Sequence, residues 1–219
     1  VNTTASPENI LIRMNSESDS FELYNFPVRF TEGQRTYMSG TYPTQNLVDA
    51  FPMASGYPID ATGSGYSVNN PYADRDPRLS EYVMYNGTVY RDTEIITGSY
   101  SADDNGLNKV ANSTRTGYYL RKLLRDDCNP NSAQQLAQFH YPVYFRYTEL
   151  FLAYAEAANE AWGPRNAGSV GYSAYDVIKA IRQRAGLGVG GNDPYLETCA
   201  GNPEMMRELI RNERRIEMC

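Results

Sequence analysis

The residues best able to do chemistry in this 219-residue chain are carboxylates, tyrosines and one histidine. In the closing stretch MRELIRNERRIEMC, Met206, Leu209, Ile210 and Ile216 recur at helical spacing. Glu213 falls on that same face, flanked by Arg211, Arg214 and Arg215. A carboxylate on an apolar stripe is costly unless it is paired and hydrogen-bonded. Anion sites favour helix N-termini, and this cluster lies well along its helix, so the pattern points to a structural ion pair. Arg146, at the start of an earlier helix, is the candidate partner for Glu213.

Other constellations fall short of a catalytic or metal site. His140 is the only histidine, so no multi-His metal site can form, and a Ser-His-acid triad would have to use that residue. It sits in FHYP and reads as a hydrogen-bonded structural histidine. SADDNG brushes against a calcium loop at Asp103, Asn105 and Gly106, but Ser101 and Asn112 stand where anionic ligands belong, so it reads as a turn. Glu149, Glu156 and Glu160 line one side of a helix, as a solvated face or in ion pairs with Arg182 and Arg184. Paired carboxylates could serve glycoside hydrolysis, yet nothing in the sequence isolates one as the acid. Catalytic residues, metal ligands and cofactors are therefore all expected to be none. Three cysteines, Cys128, Cys199 and Cys219, exclude a multi-bridge framework and an all-cysteine zinc site; buried free thiols are expected, although an oxidising compartment would permit a bridge between Cys128 and Cys199.

Tyrosine is the compositional outlier, with 19 against 7 Phe and 1 Trp. Its flat apolar face and polar tip suit wet binding surfaces. Tyr37, Tyr42, Tyr57 and Tyr66 are interleaved with Asn46 and Asn69 in long loops. Sugars stack their C–H faces on aromatic rings while amides and charged groups bond the hydroxyls, so these six residues form the expected ligand-binding set.

The elements that must position these residues divide near Tyr141. Residues 1–142 form a loop-rich, Tyr-rich part with short helical turns and a few strands, the best strand candidates being PENILIRM, SEYVMYNGTVY and TGYYLRKLL. Asn86-Gly87 between two Tyr/Val runs is a hairpin signal. Residues 143–219 are helical. The first helix shows Tyr147, Leu150, Phe151, Tyr154, Ala155, Ala158, Ala161 and Trp162 as its apolar stripe and stops at Gly163-Pro164. A second is capped by Ser173 and ends at Gly186; a third starts at Asn202-Pro203. Helix, loop, antiparallel helix is the grammar of tetratricopeptide-type pairs, at irregular spacing. The net charge of −6 and the lack of a Lys/Arg run exclude the footprint of a nucleic-acid binder. No apolar run approaches the ~18–20 residues that span a bilayer. Val1 is not an initiator methionine and the last helix stops mid-pattern, so both ends read as cuts in a longer protein, with Ile216 and Met218 exposed by the cut.

With these stretches in order (PTQNLVDAFPMASGYPID, NPYADRDPRL, VMYNG, TGYYLRKLL, RYTELFLAYAEAANEA, VIKAIRQRAGL and LIRNERRIEM), the chain resembles the SusD/RagB-type nutrient-binding outer-membrane lipoproteins of Bacteroidetes. The resemblance covers roughly residues 43 to 219 and implies a mainly α fold, with tetratricopeptide-like helix pairs, long ordered loops and a few short strands. Both parts would belong to one SusD-like domain, present here as a C-terminal fragment. It also implies non-enzymatic capture of polysaccharide or oligosaccharide at the outer face of the cell outer membrane. The ligand would pass to a SusC-like TonB-dependent transporter. The N-terminal lipid anchor that holds such proteins to the membrane would be expected to lie outside this chain. A peptide-binding member of the family and a glycosidase using two carboxylates are the alternatives.

Overall fold

Side-chain caps start two of the three long helices where the sequence places them, at Ser173 and Asn202, while the third begins at Arg146 without one. The computed structural model describes residues 6–31, 40–188, 190 and 192–219. Along them run β1 (Asn9–Ile12), β2 (Glu17–Ser18), α1 (Ser20–Asn25), α2 (Gln45–Ala50), α3 (Pro77–Tyr82), β3 (Val83–Met84), β4 (Thr88–Tyr90) and β5 (Thr93–Ile95). They are followed by β6 (Tyr119–Leu120), β7 (Gln138–Phe139), β8 (Val143–Arg146), α4 (Tyr147–Trp162), α5 (Ala174–Arg184), α6 (Pro194–Cys199) and α7 (Pro203–Met218). Ser173 and Asp176 form a reciprocal capping box at α5, and the Asn202 side chain accepts from the backbone N–H of Glu204 and Met205 at α7. The sequence reading passed over α6, although Asp193-Pro194 repeats the cap-then-proline signature of Asn202-Pro203 and Asp193 accepts from the Leu196 N–H at 3.0 Å.

The described residues form two compact units. One gathers Ile12–Val48 and Leu79–Tyr144; the other gathers Pro7–Leu11, Asp49–Arg78 and Phe145–Cys219. In the first, strands pair only two by two, β2 with β7, β3 with β6 and β4 with β5, around a small core of Phe26, Met84, Tyr90, Ile95 and Tyr119. The Asn86-Gly87 hairpin expected from the sequence is not the one that forms. Those residues make a tight turn, with Thr88 N–H donating to Tyr85 O at 3.0 Å, but the strands beside it pair elsewhere. The β4–β5 hairpin turns instead at Arg91-Asp92, both at positive φ (48° and 58°). Two consecutive left-handed residues match the twist of a two-residue hairpin, formed here without asparagine or glycine.

In the second unit α4 packs against both α5 and α7, with α6 on α7. The buried face of α4 is Thr148, Leu152, Ala155, Ala158 and Asn159, while Tyr147, Leu150, Phe151 and Trp162 are exposed. The apolar stripe read from the sequence is thus displaced by about one residue, roughly 100° around the helix. The small alanines let α7 approach closely, and charge pairs line the antiparallel contact. Arg214, Arg211 and Arg207 of α7 reach Glu149, Glu156 and Glu160 of α4 at 2.9, 3.9 and 2.7 Å, an antiparallel ladder. The carboxylates are partly solvated, as one of the two sequence readings had it, and their partners are on α7 and are not Arg182 and Arg184. At the end of α7, Ile216 is fully buried and Met218 half-buried against the core, which corrects the expectation that both are exposed.

Glu213 is fully buried, and its partner is not Arg146. Its Oε1 accepts from Arg182 at 2.7 Å and its Oε2 from Arg78 at 2.9 Å. The helix register explains the correction: Arg214 stands level with Glu149, so Arg146, three residues before Glu149, stands level with Glu217. Arg146 accordingly bonds Glu217 at 3.3 Å, and Glu217 also takes Arg78 at 2.9 Å and Arg184 at 2.8 Å. Burial pushes the Glu217 carboxyl up, but the charges of Arg184, Arg78 and Arg146 outweigh it and hold it below the ordinary carboxylate range.

Removing one member of a buried pair leaves the other charge stranded, so Glu213→Ala should lower unfolding free energy by about 3–5 kcal/mol. Glu156→Ala, at the exposed ladder, should cost under about 1 kcal/mol. Urea unfolding of both variants checks this, and equal midpoints would refute the assignment. Because the Glu217 pKa is depressed on folding, its contribution is present above the unfolded value of about 4.3 and is lost as pH falls through the lower folded value. Acid titration of the Glu217→Gln variant should show a shallower loss of stability below that pH than the parent protein.

Candidate functional site

Residues 54–74 form a long loop without helix or strand, built from its own turns. Ala61, Ser64, Asn70 and Ala73 each donate their N–H to the carbonyl three residues back, and the Ser64 hydroxyl donates to Ile59 O at 3.1 Å. The loop is drawn shut at its base. Met53 and Arg75 form an antiparallel bridge, Ala54 N–H donates to Asp74 O at 2.7 Å, and Asp76 N–H donates to Pro52 O at 2.8 Å. Arg75 is buried. Its guanidinium donates to Pro71 O at 2.8 Å and Phe51 O at 2.7 Å, and lies 5.6 Å from the centre of the Tyr66 ring. This backs one ring face with a cation. Asn69 and Asn70 are exposed on the same loop, next to Val68. Tyr57, half-buried, packs its ring 5.4 Å from Tyr195 of α6.

The expected ligand set is therefore divided between the units. Tyr57, Tyr66 and Asn69 share this loop. Tyr42 and Asn46 belong to the other unit, where the Tyr42 hydroxyl donates to Asn112 O at 2.8 Å and its ring packs edge-on 5.8 Å from Tyr119. Those contacts make Tyr42 part of the small core's wall, while Asn46 is exposed on α2. Tyr37 lies outside the described residues.

Sequence reasoning missed a second aromatic surface. On α4, Tyr147 and Phe151 are 48% and 45% exposed, and they flank a cavity of about 670 Å³ shared with Tyr172 and with Val177, Ala180 and Ile181 of α5. Glu8 and Arg184, which pair with each other, and Asp176 supply its polar edge. The signal was present as the periodic stripe of α4, but an amphipathic helix with a wide apolar face does not reveal which half is covered.

The remaining reactive groups are held by internal partners. His140 sets Nε2 3.0 Å from Glu22 Oε1 and Nδ1 3.1 Å from Gln138 O. In SADDNG, Asp103 accepts from Asn105 N–H and Arg29, a turn closed on itself. Cys128 and Cys199 are buried free thiols, and burial pushes them up to about 12 and about 11. Among the described residues no cluster of three His, Cys, Asp or Glu is arranged to hold a metal, and no helix is long and apolar enough to cross a membrane.

The sequence matches the SusD family model over residues 7–219. The chain belongs to the SusD family. Solved structures give the SusD-like fold directly. A SusD-like carbohydrate-binding protein from Bacteroides fragilis is 25% identical, with a TM-score of 0.73, over 99% of this chain and 40% of its own. A second SusD-like protein from that organism is 27% identical, with a TM-score of 0.62, over 98% of this chain and 41% of its own. A SusD superfamily protein from Parabacteroides distasonis, 20% identical with a TM-score of 0.54, shares the fold. The SusD-family chain thus spans about two fifths of the length of these two Bacteroides fragilis relatives. Among curated proteins there is no significant match.

Thiolate, not thiol, is the reactive form. A thiol-specific reagent at pH 8 should therefore titrate Cys219, which is exposed, rapidly, and Cys128 and Cys199 only in denaturant. Three fast equivalents in the native protein would contradict the burial described here.

Proposed function

We propose that this SusD-family chain binds glycan without catalysis, as part of a surface nutrient-capture protein. The loop at 54–74 is the primary contact. The observation that carries this reading is the Arg75-backed Tyr66 ring beside exposed Asn69 and Asn70, on a loop fixed at its base. Stacking on a preformed ring, with hydrogen bonds from amides on a loop closed at its base, costs little ordering entropy on binding. The relative described as carbohydrate-binding supports the same ligand class. In this proposal residues 1–142 and 143–219 serve one SusD-like domain, α4 and α5 act as a tetratricopeptide-like pair, and the chain is a portion of a longer lipid-anchored protein. That protein faces outward on the outer membrane and passes oligosaccharide to a SusC-like TonB-dependent transporter. Tyr42, Asn46 and Tyr37 remain secondary ligand candidates.

The cavity between α4 and α5 favours a second reading, a peptide ligand, because its walls are mainly apolar and helical. One experiment separates the two. Calorimetric titration with soluble amylopectin, xyloglucan and pectin, and with a mixed peptide library, is run on the parent protein and on Tyr66→Ala, Asn69→Ala and Phe151→Glu, with reducing-end release assayed in parallel. Polysaccharide binding weakened about tenfold by each loop substitution, near 1.4 kcal/mol, and unchanged by Phe151→Glu is the expected result. Peptide binding lost on Phe151→Glu moves the function to the cavity. Released reducing ends overturn the non-enzymatic assignment.

A further inference from the structure

Three segments distant in sequence meet around one buried guanidinium. Arg182 of α5 is 1% exposed. Its Nη1 donates to Glu213 of α7 at 2.7 Å and its Nε to Asp193 Oδ2 at 2.7 Å. Its Nη2 donates to the backbone carbonyl of Gly56 at 2.9 Å and to Asp193 Oδ1 at 3.2 Å. Asp193 is also the N-cap of α6, the helix whose Tyr195 meets the ring of Tyr57. The fit around Gly56 is tight. It holds φ +91°, and a Cβ there would stand 2.5 Å from both Arg182 Nη2 and Asp193 Oδ1. The far end of the loop is fixed through the same carboxylate. Arg78, two residues beyond Asp76, donates to the other oxygen of Glu213 at 2.9 Å, and its Nη2 bonds Asp76 at 2.7 Å.

We propose that Arg182 is a positioning residue: through Gly56 it sets the conformation in which loop 54–74 presents Tyr57, Tyr66 and Asn69. This rests on the reading of that loop as the glycan contact. The role requires arginine. A planar fork reaches three acceptors in different directions, whereas a lysine ammonium is a single point of charge at the end of a flexible stem. It also requires glycine at 56, because any Cβ must displace either the guanidinium or the Asp193 carboxylate that orients it. Gly56 lies outside every helix and meets the helical network only through Arg182 and Asp193, so its replacement is expected to loosen the loop more than the helices.

The test compares Gly56→Ala, Arg182→Lys and Tyr66→Ala with the parent protein by amide hydrogen exchange and by calorimetry against amylopectin, xyloglucan and pectin. Gly56→Ala is the main variant, since Arg182→Lys alters a buried charge network and can unfold the chain. The expected result is exchange at least tenfold faster for amides 57–73 in Gly56→Ala, with α4 and α7 amides at parental rates. Polysaccharide affinity should fall about tenfold, as in Tyr66→Ala. Parental exchange in the loop of Gly56→Ala overturns the proposal. Equal acceleration in α4 and α7 also overturns it, because the contact is then general to the fold. If Tyr66→Ala leaves polysaccharide affinity unchanged while loop exchange rises in Gly56→Ala, the clamp stands and the loop is not the glycan site.

Discussion

One carboxylate, that of Glu213, is shared between two arginines from separate segments of the chain. Arg182 brings α5 and the α6 cap; Arg78 brings the segment that follows the 54–74 loop. Taking such charges out of water costs several kcal/mol per ion, and their attraction repays this only when the remaining donors and acceptors are also matched. Here they are matched, through Asp193, Asp76, Glu217 and the Gly56 carbonyl. The network therefore does more to select one arrangement of helices and loop than to add net stability. A neighbouring register of α7 would leave at least one of these charges buried and alone.

The same cluster gives physical content to the family resemblance. Asp76 and Arg78 lie in DPRL, Arg182 and Arg184 in IRQRAG, and Glu213 and Glu217 in the closing helix. In sequence these are separate weak signals; in space they are one hydrogen-bonded cluster. Relatives at 25% and 27% identity keep the fold. The tyrosine excess serves two ends. Some rings, such as Tyr119 and Tyr90, fill the small core, while Tyr100 and Tyr144 stand largely in solvent.

Local rules carried the helical half of the chain. Caps at Ser173 and Asn202 and the stop at Gly163-Pro164 depend only on side chains a few residues away, so they are legible without the fold. The face of α4 was not legible. Its stripe is wide enough that burying Leu152 and Ala155, with Tyr147 and Phe151 left outside, satisfies the same periodicity. Of the proposed contact residues, type and loop setting were legible for Tyr57, Tyr66 and Asn69. That Tyr42 turns inward to Asn112 was not, because a tyrosine in a loop carries no mark of which way it faces.

The sequence by itself determined that Glu213 must be buried and paired, where the helices capped by Ser173 and Asn202 begin, and that no multi-histidine site could exist. Each of these follows from residue type and near-neighbour spacing. Tertiary structure decided who pairs with whom. Arg146 was the candidate partner read from the sequence, but the antiparallel register of α4 and α7 sets it level with Glu217 and leaves Glu213 to Arg78 and Arg182. Pairing over more than a hundred residues of chain is fixed by how helices pack, and spacing along the sequence does not encode that distance.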